Sequence, residues 1–148
     1  MARTRTTTGT RGSDPRPQVR VMFCITGNDL DLDRISELAG IEPTDRGRQG
    51  DLAPGRRFPV PDTFWSIELE SRGYILDEPV AELLGSVLTR RDGIRLALEG
   101  TEAEVTVVCA VVLTRDGVDF SLSAGTVAQL AELGAGFSID IVDLRKSR

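Results

Sequence analysis

The residues best suited to binding chemistry lie in an arginine-rich loop, residues 44–63, within the longest irregular stretch of the chain. Arginines beside glycines can hold a carboxylate or a phosphate through paired hydrogen bonds and free backbone N–H groups. A tryptophan just beyond the loop can add a stacking face or a cation–π contact. The candidate ligand- or partner-binding residues are Arg46, Arg48, Gln49, Arg56, Arg57 and Trp65.

A second interpretation of the same loop is structural. Four prolines and three glycines lie between residues 42 and 63. Ordered loops of this length are often functional, which favours the binding interpretation. No Gly-Lys-Ser/Thr follows them, however, so the loop is not a nucleotide-binding loop of the Walker type. Its arginines can instead pair with surface carboxylates while Trp65 lies in the core. The sequence leaves both interpretations open.

Paired carboxylates are the next candidates. Glu68 and Glu70 share one face of a predicted strand, but general acid–base catalysis needs two carboxyl groups that face one substrate. The sequence places no carboxylate of another strand beside them, so we expect them to face solvent. Asp140, between two isoleucines, is expected to face solvent or to pair with an arginine.

The string Asp29, Asp31 and Asp33 resembles the opening of a calcium-binding loop. Such a loop needs glycine at its sixth position and glutamate at its twelfth. Here those positions hold Arg34 and Gly40. We therefore predict that these carboxylates cap a helix and complement its dipole, and we predict no metal site.

Nucleophilic catalysis has little support in this composition. Histidine is absent, which removes the Ser-His-Asp, Cys-His and His-metal schemes. The one lysine, Lys146, lies near the end of the chain, and Cys24 and Cys109 fall inside predicted strands where burial suppresses thiolate formation. The residues therefore favour a protein that is not an enzyme, with no catalytic residue and no cofactor.

Charge divides the 148-residue chain into three parts. Residues 1–18 are a basic segment poor in apolar residues, predicted to be a disordered tail. Residues 19–144 are predicted to form a single domain, and residues 145–148 a charged C-terminal tail. The whole chain carries a net charge of −5 although its first 20 residues contain five arginines. The domain is therefore acidic and should not bind nucleic acid.

Apolar runs are too short for targeting or membrane insertion. The run over residues 19–26 is interrupted by an arginine and followed by aspartates, unlike the apolar stretch of a secretory signal. No run approaches the roughly 18 residues of a membrane span. We expect a cytoplasmic protein that does not bind membranes, with both cysteines reduced.

Hydrophobic periodicity predicts the elements that position these residues. A tight hairpin turn is predicted at Arg115-Asp116-Gly117, and Asp77 and Ser123 are predicted to cap helices. The predicted fold is a two-layer α+β sandwich, related to the ferredoxin-like fold, in which a mixed, mostly antiparallel sheet carries helices on one face. The predicted strands are 19–26, 64–70, 94–98, 103–113, 118–122 and 137–141, and the predicted helices are 31–39, 78–90 and 124–133.

Short motifs in this order resemble a known family. They are Ile25-Thr26-Gly27, residues 38–44, residues 47–51, Trp65-Ser66-Ile67-Glu68-Leu69, Leu130-Ala131-Glu132-Leu133-Gly134 and Ser138-Ile139-Asp140-Ile141. Together they resemble the bacterial domain of unknown function 4279 over about residues 19–144. The resemblance implies a small cytosolic α+β domain with no established activity, so no catalytic residue is carried over from it.

The expected function is binding. An acidic domain of this size is typical of an immunity-like or accessory module that masks a basic protein partner, through the arginine loop, an exposed sheet face or both. The alternative is a sensor or enzyme for a small anionic ligand, with its pocket at the arginine loop. Pairing of edge strands into a homodimer is compatible with either.

Overall fold

A five-stranded sheet and four helices make up the chain. The computed structural model describes residues 14–52, 55 and 57–146, and most of the predicted N-terminal tail, residues 1–13, lies outside them. The strands are β1 (Gln18–Thr26), β2 (Asp45–Gly47), β3 (Phe64–Arg72), β4 (Glu104–Leu113) and β5 (Gly136–Asp143). The helices are α1 (Leu32–Ala39), α2 (Asp77–Leu88), α3 (Arg91–Leu98) and α4 (Ala124–Leu133), with a final 3₁₀ turn at Leu144–Lys146.

The sheet is built around β1. Its strand order is β2-β3-β1-β4-β5, and β1 pairs antiparallel along its whole length with both β3 and β4. The short β2 pairs antiparallel with β3, and β5 pairs parallel with β4. The sheet is therefore mixed and mostly antiparallel, as predicted.

The two faces of the sheet have different neighbours. Val21, Phe23 and Ile25 of β1 are fully buried in one apolar core that includes residues of all four helices. The alternate residues of the strands point the other way and do not belong to that core. We call the first side the helical face and the second side the open face. The predicted two-layer α+β sandwich with its helices on one face is confirmed.

Residues 94–98 form part of α3 and not the predicted strand. Ile94, Leu96 and Leu98 alternate in sequence, but Ile94 and Ala97 are buried whereas Leu96 is 46% exposed. This is the spacing of a helix with one apolar face. A segment of only five residues can match both the strand period of two and the helix period of 3.6, so the prediction of a strand at residues 94–98 was wrong. The described helical layer therefore has four helices, where three were expected.

A close approach between two helices fixes the position of α3. Gly93 lies against the backbone of α1, where a Cβ atom would overlap the carbonyl oxygen of Leu38. Only glycine allows the helices to come this close. Thus α3 packs on α1, and α4 packs on α2.

The predicted hairpin after β4 is also wrong. Val118, Phe120 and Leu122 pack against the core, but residues 118–122 form no strand paired with β4. Asp119 instead bonds to the segment before α2, donating to the carbonyl of Tyr74 at 2.7 Å and accepting from Leu76 N–H at 3.0 Å. Strand β4 pairs in parallel with β5. The turn at residues 115–117 therefore begins the connection that runs through α4 from β4 to β5.

The helix caps follow the sequence in two of three cases. Asp31 accepts a hydrogen bond from Arg34 N–H at 3.1 Å, and Ser123 accepts one from Thr126 N–H at 3.2 Å. Asp77 is not a cap but the first residue of α2. Its carboxylate accepts from the backbone N–H of Ser123 at 2.9 Å and so joins the starts of α2 and α4.

Candidate functional site

The arginine loop is anchored more firmly than an irregular segment would be. It contains β2, contrary to the prediction of an entirely irregular stretch. Beyond β2, Val60 donates to the Asp51 carbonyl at 2.8 Å and accepts from Gly50 N–H at 2.9 Å. Gln49 N–H donates to Thr63 Oγ1 at 3.0 Å. These bonds extend the β2–β3 pairing into the loop.

The loop arginines that the structure describes differ in their partners. Arg46 turns towards α1, where its Nη1 donates to Asp33 Oδ1 at 2.8 Å. Arg48 and Arg57 are exposed, and neither guanidinium forms an ion pair within the described ranges. Arg56 lies outside the described residues. Of the three described arginines, one is therefore already paired within the protein.

Trp65 is a core residue. Its side chain is fully buried on the helical face, and its Nε1 donates to Ser36 Oγ of α1 at 2.9 Å. The ring therefore has no free face for a ligand, and the stacking role considered for it is wrong. The alternative stated from sequence, a buried tryptophan under a solvated loop, describes its position.

The open face has an apolar centre. Its middle is formed by β1 and β4, whose register places Met22 opposite Val108 and Arg20 opposite Ala110. Met22, Val108 and Val112 are only partly buried, and no α-helix in the described part of the chain packs on them. The nearly continuous apolar sequence of β4 is typical of a strand buried on both faces, but its open side stays partly exposed because the described residues supply only one helical layer.

Acidic groups surround this centre. Arg20 Nε lies 3.7 Å from one carboxylate oxygen of Glu68 and 3.7 Å from one of Glu70. These two glutamates therefore border a guanidinium across the strands, as a partly exposed ion-pair cluster and not as an acid–base pair. The strand pairing places the following charged residues on this face: Arg20, Arg72, Asp45, Glu68, Glu70, Glu104 and Asp140.

An acidic cleft adjoins one end of the open face. A cavity of about 600 Å³ lies where β1 ends and β4 begins. Among the residues that the structure describes, no basic residue lines it, and four carboxylates line it from segments far apart in sequence: Asp29, Asp62, Glu102 and Glu104. Among the residues that the structure covers, no group of Cys, Asp and Glu is arranged to hold a metal ion.

Comparison with known proteins gives a family. Residues 17–144 match the family described as Domain of unknown function (DUF4279). The chain belongs to this family. No curated protein and no solved structure matches the chain. The resemblance of the short motifs is therefore confirmed over the entire five-stranded sheet and the four helices of this DUF4279 domain.

The two thiols of this DUF4279 domain occupy unreactive positions. Cys109 is fully buried on the helical face, and burial raises the pKa of its thiol to about 12. Cys24 is half-buried on the open face, where burial and then the charge of Glu68 raise its pKa. Raised pKa values leave little thiolate at neutral pH.

Sequence reasoning named an exposed sheet face as a binding surface without identifying its residues, and it missed the acidic cleft. A usable signal was present: β1 and β4 carry apolar residues at alternate positions on both sides, while the amphipathic helices suffice for one side only. No comparable signal existed for the cleft, because Asp62 reaches Glu102 only through the fold. The described helices include none long and apolar enough to cross a membrane.

Proposed function

We propose that this chain is a non-catalytic module that binds a basic protein partner on its open face, in the manner of an immunity or accessory protein. The observation that carries the proposal is the composition of this face. It is a broad sheet surface with an apolar centre on β1 and β4, acidic groups around it and no covering helix among the described residues. The proposal includes a bacterial, cytoplasmic setting.

The apolar centre supports a macromolecular partner. Protein–protein interfaces combine an apolar core with a polar rim. Met22, Val108, Ala110 and Val112 occupy the middle of the open face, and charged residues occupy its borders. A flat sheet surface of this kind suits another protein better than a small molecule, which binds in concave sites.

The charges support a basic partner. Five carboxylates and two guanidinium groups lie on the open face, and Glu104 continues the negative surface into the acidic cleft. Complementary charge speeds association and selects the partner. An arginine or lysine side chain from the partner can enter the cleft, where the charged groups of the described lining are all carboxylates.

Matched charge variants test the proposal. The open-face variant carries Glu70→Gln, Glu104→Gln and Asp140→Asn, which removes three exposed carboxylates. The control variant carries Glu37→Gln, Glu78→Gln and Glu82→Gln, which removes three exposed carboxylates from α1 and α2. Tagged wild type and both variants are used to capture proteins from the native host, and the recovered partner is then purified and titrated at two salt concentrations.

The expected result is a basic protein that binds stoichiometrically to wild type and to the control variant. Its affinity for the open-face variant should be at least about tenfold lower, and it should weaken with added salt. A third variant, Val108→Arg, should abolish binding while circular dichroism shows an intact fold. An acidic partner, equal binding by both triple variants, or no partner at all would contradict the proposal.

A further inference from the structure

A second concave feature lies on the helical side, away from the open face. The helices form two pairs, α1 with α3 and α2 with α4, and a cavity of about 310 Å³ opens between α3 and α4. Phe23 and Val105 of the sheet form its floor, and Leu98 and Leu133 belong to its walls. This volume is at the small end of the roughly 300–1,000 Å³ that ligand sites span.

The rim of this cavity carries both signs of charge. Arg91 and Arg95 supply guanidinium groups, and Glu99 and Glu132 supply carboxylates. Arg91 and Glu132 form an ion pair across the gap between α3 and α4. The side chains of Arg95 and Glu99, one helical turn apart, form no ion pair with any residue that the structure describes.

One polar atom at the rim lacks a partner. Arg91 Nε is buried and makes no hydrogen bond within the described part of the chain. It lies 3.6 Å from Asp92 Oδ1, beyond hydrogen-bond distance. A buried donor without an acceptor is costly, but this atom is closed to solvent, so an acceptor in the cavity reaches it only after the Arg91 side chain moves.

We propose that the cavity binds a free α-amino acid with an apolar side chain. The α-carboxylate lies against Arg95, the α-ammonium faces Glu99, and the side chain covers Leu98 and Val105. Each rim charge then has a counter-charge while the apolar floor is shielded from water. A fatty acid would satisfy the arginines but would place its carboxylate beside Glu99 without a compensating cation. A nucleotide would bring several negative charges to a rim with no net charge.

Calorimetric titration of the whole chain with L-leucine and with L-phenylalanine tests this proposal. Two matched ligands lack one charge of leucine: 4-methylpentanoate has no ammonium group, and 3-methylbutylamine has no carboxylate. The variants are Arg95→Ala and Glu99→Gln at the exposed rim and Leu98→Trp inside the cavity. Arg115→Ala, which removes an exposed arginine elsewhere, is the control.

At least one of the two amino acids should bind saturably, and each single-charge ligand should bind at least about tenfold more weakly than leucine or not at all. Arg95→Ala and Glu99→Gln should each weaken binding by a similar factor, Leu98→Trp should abolish it, and Arg115→Ala should leave it unchanged. Binding of neither amino acid at millimolar concentration overturns the proposal. So does equal binding by 4-methylpentanoate, or wild-type affinity in folded Arg95→Ala. None of these outcomes bears on the open face, because the variants of the two sites do not overlap.

Discussion

The two faces of β1 differ in what covers them, although both carry apolar side chains. Phe23 and Ile25 point to the helical face and are fully buried, whereas Met22 and Cys24 point to the open face and remain partly exposed. On the helical side the apolar groups pack against four helices and stabilise the fold. On the open side the same kind of group contributes less to stability and is available to a partner.

The difference shows that apolar character alone does not identify core residues. An apolar strand residue is buried only where a second layer covers it, and the described residues supply such a layer only on the helical face. Residues with similar chemistry on neighbouring positions of one strand therefore have different roles: one stabilises the fold, and the other lies on the surface that we propose for recognition. Paired substitutions separate these roles.

The largest effect is expected at the centre of the sheet. Phe23→Ala should reduce the free energy of unfolding by about 3–5 kcal/mol, because it removes a fully buried aromatic ring. Met22→Ala, one residue away on the open face, should cost at most about 1 kcal/mol, because its side chain is already partly hydrated. Urea denaturation measures both values, and equal losses would contradict the distinction between the faces.

A smaller effect is expected within the helical layer. Gly93→Ala forces a Cβ atom into the backbone of α1 at Leu38 and should destabilise by about 1–3 kcal/mol. Gly85→Ala in α2 has no neighbour within 4 Å and should stabilise by up to about 1 kcal/mol through helix propensity. Thermal unfolding of the pair compares them, and the same sign for both would refute the close packing of α3 on α1.

The contact between α2 and α4 should depend on pH. Hydrogen bonds from the Ser123 backbone and the Thr126 side chain lower the pKa of Asp77 below its ordinary value of 3.8. A lowered folded-state pKa means that the stabilisation is full above that ordinary value and is lost as pH falls through the lower folded-state value. Asp77→Ala should therefore cost about 1 kcal/mol at pH 7.

That cost should shrink below about pH 4, where the Asp77 carboxylate becomes protonated in the unfolded and then in the folded chain. Urea denaturation at pH 7 and at pH 3 gives the two differences. Glu42→Ala, at an exposed position, serves as the control and should show little change with pH. A cost for Asp77→Ala that stays constant with pH would argue against the charged hydrogen bond.

The smallest effect concerns reactivity and leaves stability unchanged. Cys109, whose pKa burial raises to about 12, should react with iodoacetamide far more slowly than Cys24, which is half-buried on the open face. In urea both thiols are exposed, so the two cysteines should react with iodoacetamide at similar rates. Mass spectrometry of timed samples measures the two rates, and faster labelling of Cys109 in the folded protein would reverse the assignment of the faces.

Local signals were sufficient for much of the fold. Alternation identifies β1, β3 and β5, and helical spacing identifies α1, α2 and α4, because each of these elements presents a long apolar stripe to one layer. A nearly continuous apolar run identifies β4. The caps at Asp31 and Ser123 have the same local origin. Helix α3 was missed because Ile94, Leu96 and Leu98 satisfy the strand period by coincidence.

The pairing of segments that are far apart in the chain could not be predicted from the sequence. Whether β4 pairs with residues 118–122 or with β5 depends on packing across the sheet, and a turn motif such as Arg115-Asp116-Gly117 does not decide it. The arginine loop attracted attention through composition alone, yet Arg46 is paired with Asp33 and Trp65 is buried. The cavity between α3 and α4 could not be anticipated because α3 itself was not predicted.

The central position of β1 has a consequence for how the chain acquires its fold. Its two partners begin at Phe64 and Glu104, so neither can pair with it early during synthesis. Contacts between such distant segments form slowly, and until they form, the apolar side chains of β1 have no sheet to join. A nascent chain in this state is prone to aggregate. We therefore expect the yield of folded domain to rise when its N-terminal third is protected until β4 has left the ribosome.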